Sequence, residues 1–144
     1  MVLRFLALLG ALLALALPAQ AQTQAPLSGP DRGAIRDVIE RQIEAFRRDD
    51  GAAAFGYASP SIQGMFGSPD SFMDMVRQGY RPVYRPRAVE FGEIVTLQGM
   101  PTQKVHLIGP DGRPVTALYP MSQQADGSWR IEGCILQAPE EPQA

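Results

Sequence analysis

The feature that most constrains how this chain can fold is a change in the spacing of its apolar residues near residue 88. Before this point, apolar side chains recur every three or four residues, as at Ile35, Val38, Ile39, Ile43 and Phe46. After it, they alternate with other residues, as at Val115, Ala117, Tyr119 and Met121. The first spacing is typical of an amphipathic helix and the second of β-strands. The sequence therefore predicts helices first and a sheet afterwards.

The helical half contains signals for several helix starts. Ser28 stands three residues before Asp31, which predicts a capping box at the start of a helix of about five turns. Gly51 is expected to end that helix. Ser59-Pro60 and Ser68-Pro69 each combine an N-cap residue with a proline at the first helical position, so two or three short helices are expected between residues 50 and 79.

Four strands are expected in the second half, at about residues 89–97, 105–107, 115–121 and 129–131. Turn-forming residues separate them, at Gly99, at residues 109–112 and at Asp126-Gly127. Such turns favour consecutive antiparallel hairpins. The predicted fold class is α+β, with N-terminal helices packed on a curved antiparallel four-stranded sheet.

The N-terminus has the composition of an export signal. Arg4 is followed by an apolar segment at residues 5–17, which is shorter than the roughly 20 residues that span a bilayer. Ala19-Gln20-Ala21 fits a cleavage site, which predicts a signal peptide at 1–21 and a mature start at Gln22. We expect a leader at 22–30, one domain at 31–137 and a disordered tail at 138–144. The location would be periplasmic or secreted, with no stable membrane anchor after cleavage.

Charge and cysteine content restrict the function. The chain has 13 Lys and Arg against 15 Asp and Glu, and this mild acidity argues against a nucleic-acid partner. Cys134 is the only cysteine, so no internal disulfide can form. One histidine and one cysteine provide no ligand spacing of a zinc type, so neither a metal nor a cofactor is expected.

The stretch YRPVYRP, residues 80–86, is the most unusual segment. Each proline disfavours the helical conformation for the residue before it, so the segment is expected to be extended. In an extended chain, alternate side chains point to opposite sides. Tyrosines and arginines would then separate, with Tyr80 and Tyr84 on one side and Arg81, Arg85 and Arg87 on the other.

Two interpretations of this segment remain open at the sequence level. The arginines could form a row that binds phosphate or carboxylate, because a guanidinium offers a planar fork of donors. Alternatively, the segment is a sheet edge that its prolines keep unpaired and its arginines keep soluble.

The strings AIRDVIERQIEAFRRDD, FMDMVRQGYRPVYRPRAVEFG and GSWRIEGCIL resemble a family of small bacterial proteins known as domain of unknown function 4864. The resemblance covers residues 34–136. The order of helices followed by a meander is also similar to the nuclear-transport-factor-like and ketosteroid-isomerase-like superfamily, whose curved sheet and helices form a cone with an apolar pocket. The resemblance implies a fold and no particular activity.

The sequence contains candidate pairs of catalytic residues but no complete catalytic motif. A proton-transfer enzyme would need a carboxylate and a hydrogen-bond donor in its pocket, for which Asp74 with Tyr57 or Tyr80 are candidates. His106 and Cys134 could act as a base and a thiolate if the sheet brings them together. A lone cysteine can equally be a small buried apolar residue, and a bulge at Gly133 would decide which face Cys134 occupies.

Taken together, these features predict a non-catalytic exported domain that binds a small apolar or anionic molecule or a partner protein. The aromatic and methionine side chains of the chain suffice to line a pocket, although a core needs the same residues. The expected binding residues are Tyr57, Tyr80, Arg81, Tyr84, Arg85, Arg87 and His106. The alternatives are a pocket enzyme with acid-base chemistry of an isomerase or dehydratase type or with Cys-His chemistry, and a homodimer formed through the sheet face.

Overall fold

The computed structural model describes residues 26–139. The predicted signal peptide and mature start lie outside these residues, as do positions 22–25 of the leader and 140–144 of the tail. Five helices come first: α1 Gly29–Arg47, α2 Gly51–Gly56, α3 Pro60–Phe66, α4 Pro69–Gly79 and α5 Arg81–Tyr84. Five strands follow: β1 Ala88–Leu97, β2 Met100–Ile108, β3 Pro114–Gln123, β4 Trp129–Ile131 and β5 Ile135–Gln137. The predicted α+β class is confirmed. Within residues 26–139, every helix is too short or too polar to cross a membrane.

The first helix begins where its capping residues predict. The Ser28 hydroxyl oxygen accepts a hydrogen bond from the Asp31 N–H at 3.1 Å, and the Asp31 carboxylate accepts one from the Ser28 N–H at 3.2 Å. The predicted stop is wrong, because α1 ends at Arg47 and Gly51 begins α2. The break comes from Asp49, whose φ of 53° leaves the helical region, and Asp50 then caps α2.

Both Ser-Pro pairs begin helices as predicted. The Ser59 hydroxyl accepts a hydrogen bond from the Ile62 N–H at 3.3 Å, and Gly67, in the left-handed conformation, caps the C-terminal end of α3. The Ser68 hydroxyl accepts one from the Ser71 N–H at 3.2 Å at the start of α4. These caps satisfy N–H groups that have no partner inside the helix.

The YRPVYRP segment is not extended, so that prediction is wrong. Residues 81–84 form the single turn α5, and its Val83 is buried in the core. Pro82 lies in the first turn of this helix, where its missing N–H costs no hydrogen bond and its fixed φ is compatible with the helix. Pro86 does restrict its neighbour, because Arg85 leaves the helical region with φ −140° and ψ 64°.

The sheet is antiparallel and open, with the order β1-β2-β3 and with both β4 and β5 paired to the far side of β3. A fifth strand was not predicted. The two short strands use different registers: Met121 pairs with Ile131, whereas Leu118 pairs with Ile135. This one-residue difference places a bulge at residues 132–134 and makes β4 and β5 two halves of one bent edge.

The main core lies between α1 and the inner face of the sheet. Ile35, Ile39 and Ile43 of α1 are buried one turn apart and belong to the same cluster as the inward side chains of the strands. Those side chains include Val105 and Leu107 of β2 and a run on β3 formed by Ala117, Tyr119 and Met121. The remaining helices cover the other end of this face, where packing is incomplete.

Candidate functional site

An apolar cavity of about 440 Å³ lies where the short helices meet the bent edge of the sheet. Helices α3, α4 and α5 contribute one wall, and β3 with the bulge between β4 and β5 contributes the other. The helix wall includes Ile62, Phe66, Phe72, Met75 and Val83. The cavity therefore has mostly apolar walls and an opening toward one end of the molecule.

The helix wall is held together by a group of aromatic rings around Phe72. Its ring centroid lies 6.2 Å from that of Phe46, 5.5 Å from that of Phe55 and 5.7 Å from that of Phe66. Such tilted and edge-on arrangements are the favoured ones for aromatic pairs. Phe72 thus ties α1, α2 and α3 to α4 and fixes the position of the wall.

The sheet wall depends on the bulge at residues 132–134. Continuing the β5 register by one residue places Cys134 opposite Tyr119, which points to the inner face. Gly133 has room for a side chain, since an added Cβ would meet only Pro120, at 3.8 Å. The extra residue itself, rather than a conformation that only glycine can adopt, therefore moves Cys134 to the cavity side.

Tyr119 and Cys134 form a polar pair in this apolar wall. Tyr119 is completely buried, and among the described residues its hydroxyl group has no hydrogen-bond partner. Burial, and then the neighbouring Cys134, raise the pKa of Tyr119. Cys134 keeps some exposed surface, but its thiol is buried deeply enough to raise the pKa to about 12. Both groups are therefore uncharged near neutral pH.

Other polar groups lie at the margin of the cavity. Tyr80 lines it, and burial followed by the proximity of Cys134 raises its pKa. Glu132 also lines it and accepts a hydrogen bond from the Ser122 hydroxyl at 2.9 Å. The Gln42 amide nitrogen, in the buried wall, donates to the Ala54 carbonyl oxygen at 3.1 Å.

Two exposed apolar side chains mark the opening. Met65 of α3 is 72% exposed and Ile135 of β5 is 52% exposed, and both line the cavity. Among the described residues only one other large apolar side chain is exposed, Leu97 at the tip of the β1–β2 hairpin. Two of the three exposed large apolar side chains of residues 26–139 thus line the cavity.

The predicted binding residues are not brought together by the fold. Tyr80 alone among them lines the cavity. Tyr57 packs against the core from the end of α2, and its backbone pairs with Ile131 of β4. His106 is exposed on the outer face of the sheet, with its Nδ1 3.3 Å from the Thr116 hydroxyl.

The arginines of the YRPVYRP segment do not form a row. Arg85 pairs with the Asp49 carboxylate at 3.0 Å, donates to the Phe46 carbonyl oxygen and lies over the Tyr84 ring at 3.9 Å. The predicted separation of tyrosines from arginines is therefore wrong. Arg81 and Arg87 are exposed and have no ion pair with any described residue.

Asp49 is the centre of this surface cluster. It accepts hydrogen bonds from the Tyr84 hydroxyl, from Arg85 and from Arg77. The Tyr84 hydrogen bond is the largest cause of a lowered pKa of Asp49, and the two arginines lower it further. The cluster joins the end of α1 to α5 and is best explained as a structural link.

The fold also does not bring the predicted catalytic residues together. The Asp74 side chain is 71% exposed and pairs with Arg77 at 3.5 Å, outside the cavity. His106 and Cys134 occupy opposite faces of the sheet, because their partners Thr116 and Tyr119 lie three residues apart on β3. Residues 26–139 hold no cluster of three or more His, Cys, Asp or Glu side chains suited to a metal ion.

Tyr119 is the principal site residue that sequence reasoning did not select as a binding residue. Its alternating position on β3 predicts an inward side chain, and this is confirmed. No pattern in the sequence indicates that its hydroxyl lacks a partner, since that depends on which groups the helices place opposite it.

Comparison with protein families matches residues 28–144 to the family described as Domain of unknown function (DUF4864). Comparisons with curated proteins and with solved structures gave no match. The match covers most of the chain, including every helix and strand described above and the whole cavity wall. The chain therefore belongs to the DUF4864 family.

Proposed function

We propose that this protein binds a small, largely apolar molecule in the cavity between α3, α4, α5 and the bent sheet edge. The observation that carries the proposal is the cavity itself: its volume of about 440 Å³ lies within the roughly 300–1,000 Å³ typical of ligand sites. Its walls are aromatic and aliphatic, with a few polar groups, which is the usual composition of such sites.

The opening supports entry of an apolar molecule. Met65 and Ile135 both line the cavity and expose apolar surface to solvent. Methionine is flexible and polarizable, so Met65 and the half-buried Met75 can adapt to ligands of different shape. A bound molecule would cover this surface, and its removal from water would contribute to affinity.

We further propose that the fold is a cone of the nuclear-transport-factor-like type and that the protein is exported. The first proposal is supported by the order of helices before sheet, by the bulges in β1 and at residues 132–134, and by the apolar cavity between helices and sheet. The second rests on the sequence pattern of residues 1–21.

The positions of the ionisable groups support a binding role more strongly than a catalytic one. Among the described residues, Glu132 is the one carboxylate that lines the cavity, and it is engaged by Ser122. The Cys134 thiol is stabilised in its protonated form, whereas a nucleophilic cysteine needs a lowered pKa.

The experiment is a fluorescence titration with N-phenyl-1-naphthylamine, an uncharged apolar reporter whose emission rises in apolar surroundings. We expect saturable binding to the wild-type domain. Ile62→Trp, which adds volume at the half-buried α3 wall, should weaken binding by at least about tenfold, equivalent to about 1.4 kcal/mol.

Leu97→Trp is the matched control, because it makes a comparable change at the exposed hairpin tip, away from the cavity. Its affinity should equal that of the wild type. Absence of saturable binding to the wild type, or equal losses in the two tryptophan variants, would refute the proposed site.

A further inference from the structure

We propose that the ligand is uncharged and carries a hydrogen-bond acceptor that receives the O–H of Tyr119, a residue of the cavity wall. This inference rests on the proposed function and specifies the chemistry of its ligand. It adds a polar recognition element to a site otherwise defined by apolar walls.

The Tyr119 hydroxyl is the observation that points to an acceptor. The residue is completely buried, it lines the cavity, and its oxygen has no hydrogen-bond partner among the described residues. Folded proteins almost always pair buried polar groups, because an unpaired one has lost its hydrogen bonds to water without replacement. A ligand acceptor placed against the hydroxyl would supply the missing bond.

Neighbouring groups do not satisfy this donor. The Cys134 thiol lies beside Tyr119 and interacts with its hydroxyl, but the contact does not have the geometry of a full hydrogen bond, and sulfur is only a weak acceptor. Gln42 and Glu132 also line the cavity and carry acceptor oxygens, but neither makes a hydrogen bond to the Tyr119 hydroxyl. Apart from the weak interaction with Cys134, the Tyr119 donor is thus left for a molecule that enters the cavity.

The charges around the cavity favour a neutral acceptor. Its lining residues include no Lys, Arg or His. A carboxylate or phosphate drawn against Tyr119 would be removed from water without a countercharge, which is strongly unfavourable. The Glu132 carboxylate would also repel it.

The arginines expected from the sequence to bind an anion cannot supply the countercharge. Arg85 is engaged with Asp49 and Tyr84, and Arg81 and Arg87 are exposed. None of the three lines the cavity. Of the apolar and anionic ligands that the sequence leaves open, the geometry favours the uncharged ones.

Three compounds with the same two phenyl rings test this inference: diphenylmethane, the ketone benzophenone, and diphenylacetate. Each is titrated against protein loaded with N-phenyl-1-naphthylamine. We expect benzophenone to displace the reporter at about a tenfold lower concentration than diphenylmethane, as one added hydrogen bond predicts. Diphenylacetate should be the weakest of the three.

Tyr119→Phe removes only the hydroxyl oxygen. It should abolish the preference for benzophenone and leave diphenylmethane unchanged. Tyr57→Phe is the matched control, because Tyr57 is a partly buried tyrosine outside the cavity, and it should keep the preference. Circular dichroism verifies that both variants fold.

The outcomes separate this inference from the proposed function. The inference would be overturned, with reporter binding intact, if the ketone and the hydrocarbon displaced the reporter equally or if diphenylacetate displaced it most strongly. It would also be overturned if none of the three displaced the reporter, or if the preference for benzophenone survived in Tyr119→Phe. Failure of the reporter itself to bind would instead overturn the proposed function. If Tyr119→Phe does not fold, the order of the three compounds on the wild type still decides.

Discussion

Among single residues, Cys134 shows most clearly how the surroundings determine chemical state. Its sequence position permits either a reactive thiolate beside His106 or a small buried apolar residue. The fold places it in the cavity wall opposite Tyr119, where the charged form would be poorly solvated. The resulting pKa of about 12 makes the thiol a neutral group under ordinary conditions.

This raised pKa predicts a dependence of stability on pH. Below the ordinary value of 9.0 the thiol is protonated in both the folded and the unfolded chain. Above it, the unfolded chain loses the proton while the folded chain keeps it, so the free energy of unfolding should fall between pH 9 and 12. The slope approaches about 1.4 kcal/mol per pH unit for one group.

Urea denaturation at pH 8, 9 and 10 under reducing conditions measures this contribution as the difference between wild type and Cys134→Ala. Other groups titrate in this range, including Tyr80 and Tyr119, but they are present in both proteins and largely cancel in the difference. The wild type should lose stability faster than the variant. Parallel curves would mean that the thiol is accessible to water.

The sequence predicts some of these residue environments and not others. Alternation on β3 correctly places Tyr119 inside, and Gly133 is recognised as a point where a bulge would change the face of Cys134. The lack of a partner for the Tyr119 hydroxyl is not predictable in this way. It depends on groups from α1, α4 and the bulge that are distant in sequence, and a short apolar pattern carries no information on their final positions.

Among the elements, α5 shows why a local rule succeeds at one proline and fails at another. Arg85 is non-helical before Pro86, as expected, whereas Arg81 begins a helical turn despite Pro82. Burial of Val83 and the contacts of Arg85 with Phe46 and Asp49 favour this turn. These tertiary contacts outweigh the preference of an isolated Arg-Pro pair.

The link between α1 and α5 makes a testable prediction at Asp49. Tyr84→Phe removes the hydrogen bond that contributes most to the lowered pKa of this carboxyl, so the pKa of Asp49 should rise toward its ordinary value. Because a lowered carboxyl pKa stabilises the fold above the unfolded pKa, the variant should lose stability at neutral pH and less of it on acidification.

Carbon-detected NMR titration of the Asp49 carboxyl group measures the shift directly. Tyr80→Phe serves as the control, because it alters a tyrosine of the same segment that makes no hydrogen bond to Asp49. An unchanged pKa of Asp49 in Tyr84→Phe would show that the arginines alone determine it.

The short length of β5 explains why the sequence does not predict a fifth strand. β5 has only three residues and directly follows the bulge, so its alternation is too brief to detect and its phase is shifted. β4 and the three longer strands are predicted because turn residues separate each of them from the next. Irregular edges are therefore the part of this sheet least visible in the sequence, and here the irregular edge builds the cavity.

For the whole molecule, the order of helices followed by an antiparallel sheet is predicted by the change in apolar spacing and confirmed. The sequence does not predict which apolar residues line the cavity and which are packed only in the core. Phe72 and Tyr119 belong to the core and also line the cavity, whereas Trp129 and Met121 belong to the core alone. Composition and spacing are the same for both groups, because a cavity wall and a core both require large apolar side chains.

The difference between core and cavity positions can be measured by shortening one side chain of each kind to alanine and comparing the losses in the free energy of unfolding. Ile39 is completely buried between α1 and the sheet, and Ile39→Ala should reduce the free energy of unfolding by about 2–5 kcal/mol. Met75 is half-buried and faces the cavity, so its side chain has packing partners on fewer sides. Met75→Ala should therefore cost about 1 kcal/mol or less.

Urea denaturation gives both values, and similar dependence on denaturant in the three proteins would verify that the same unfolding transition is compared. Saturation with N-phenyl-1-naphthylamine should widen the difference between wild type and Met75→Ala, because the bound molecule supplies the missing partners of Met75 only when the side chain is present. Equal costs for the two truncations would show instead that Met75 is packed as tightly as Ile39. In that case the helices would close onto the sheet edge in solution and leave no room for a ligand.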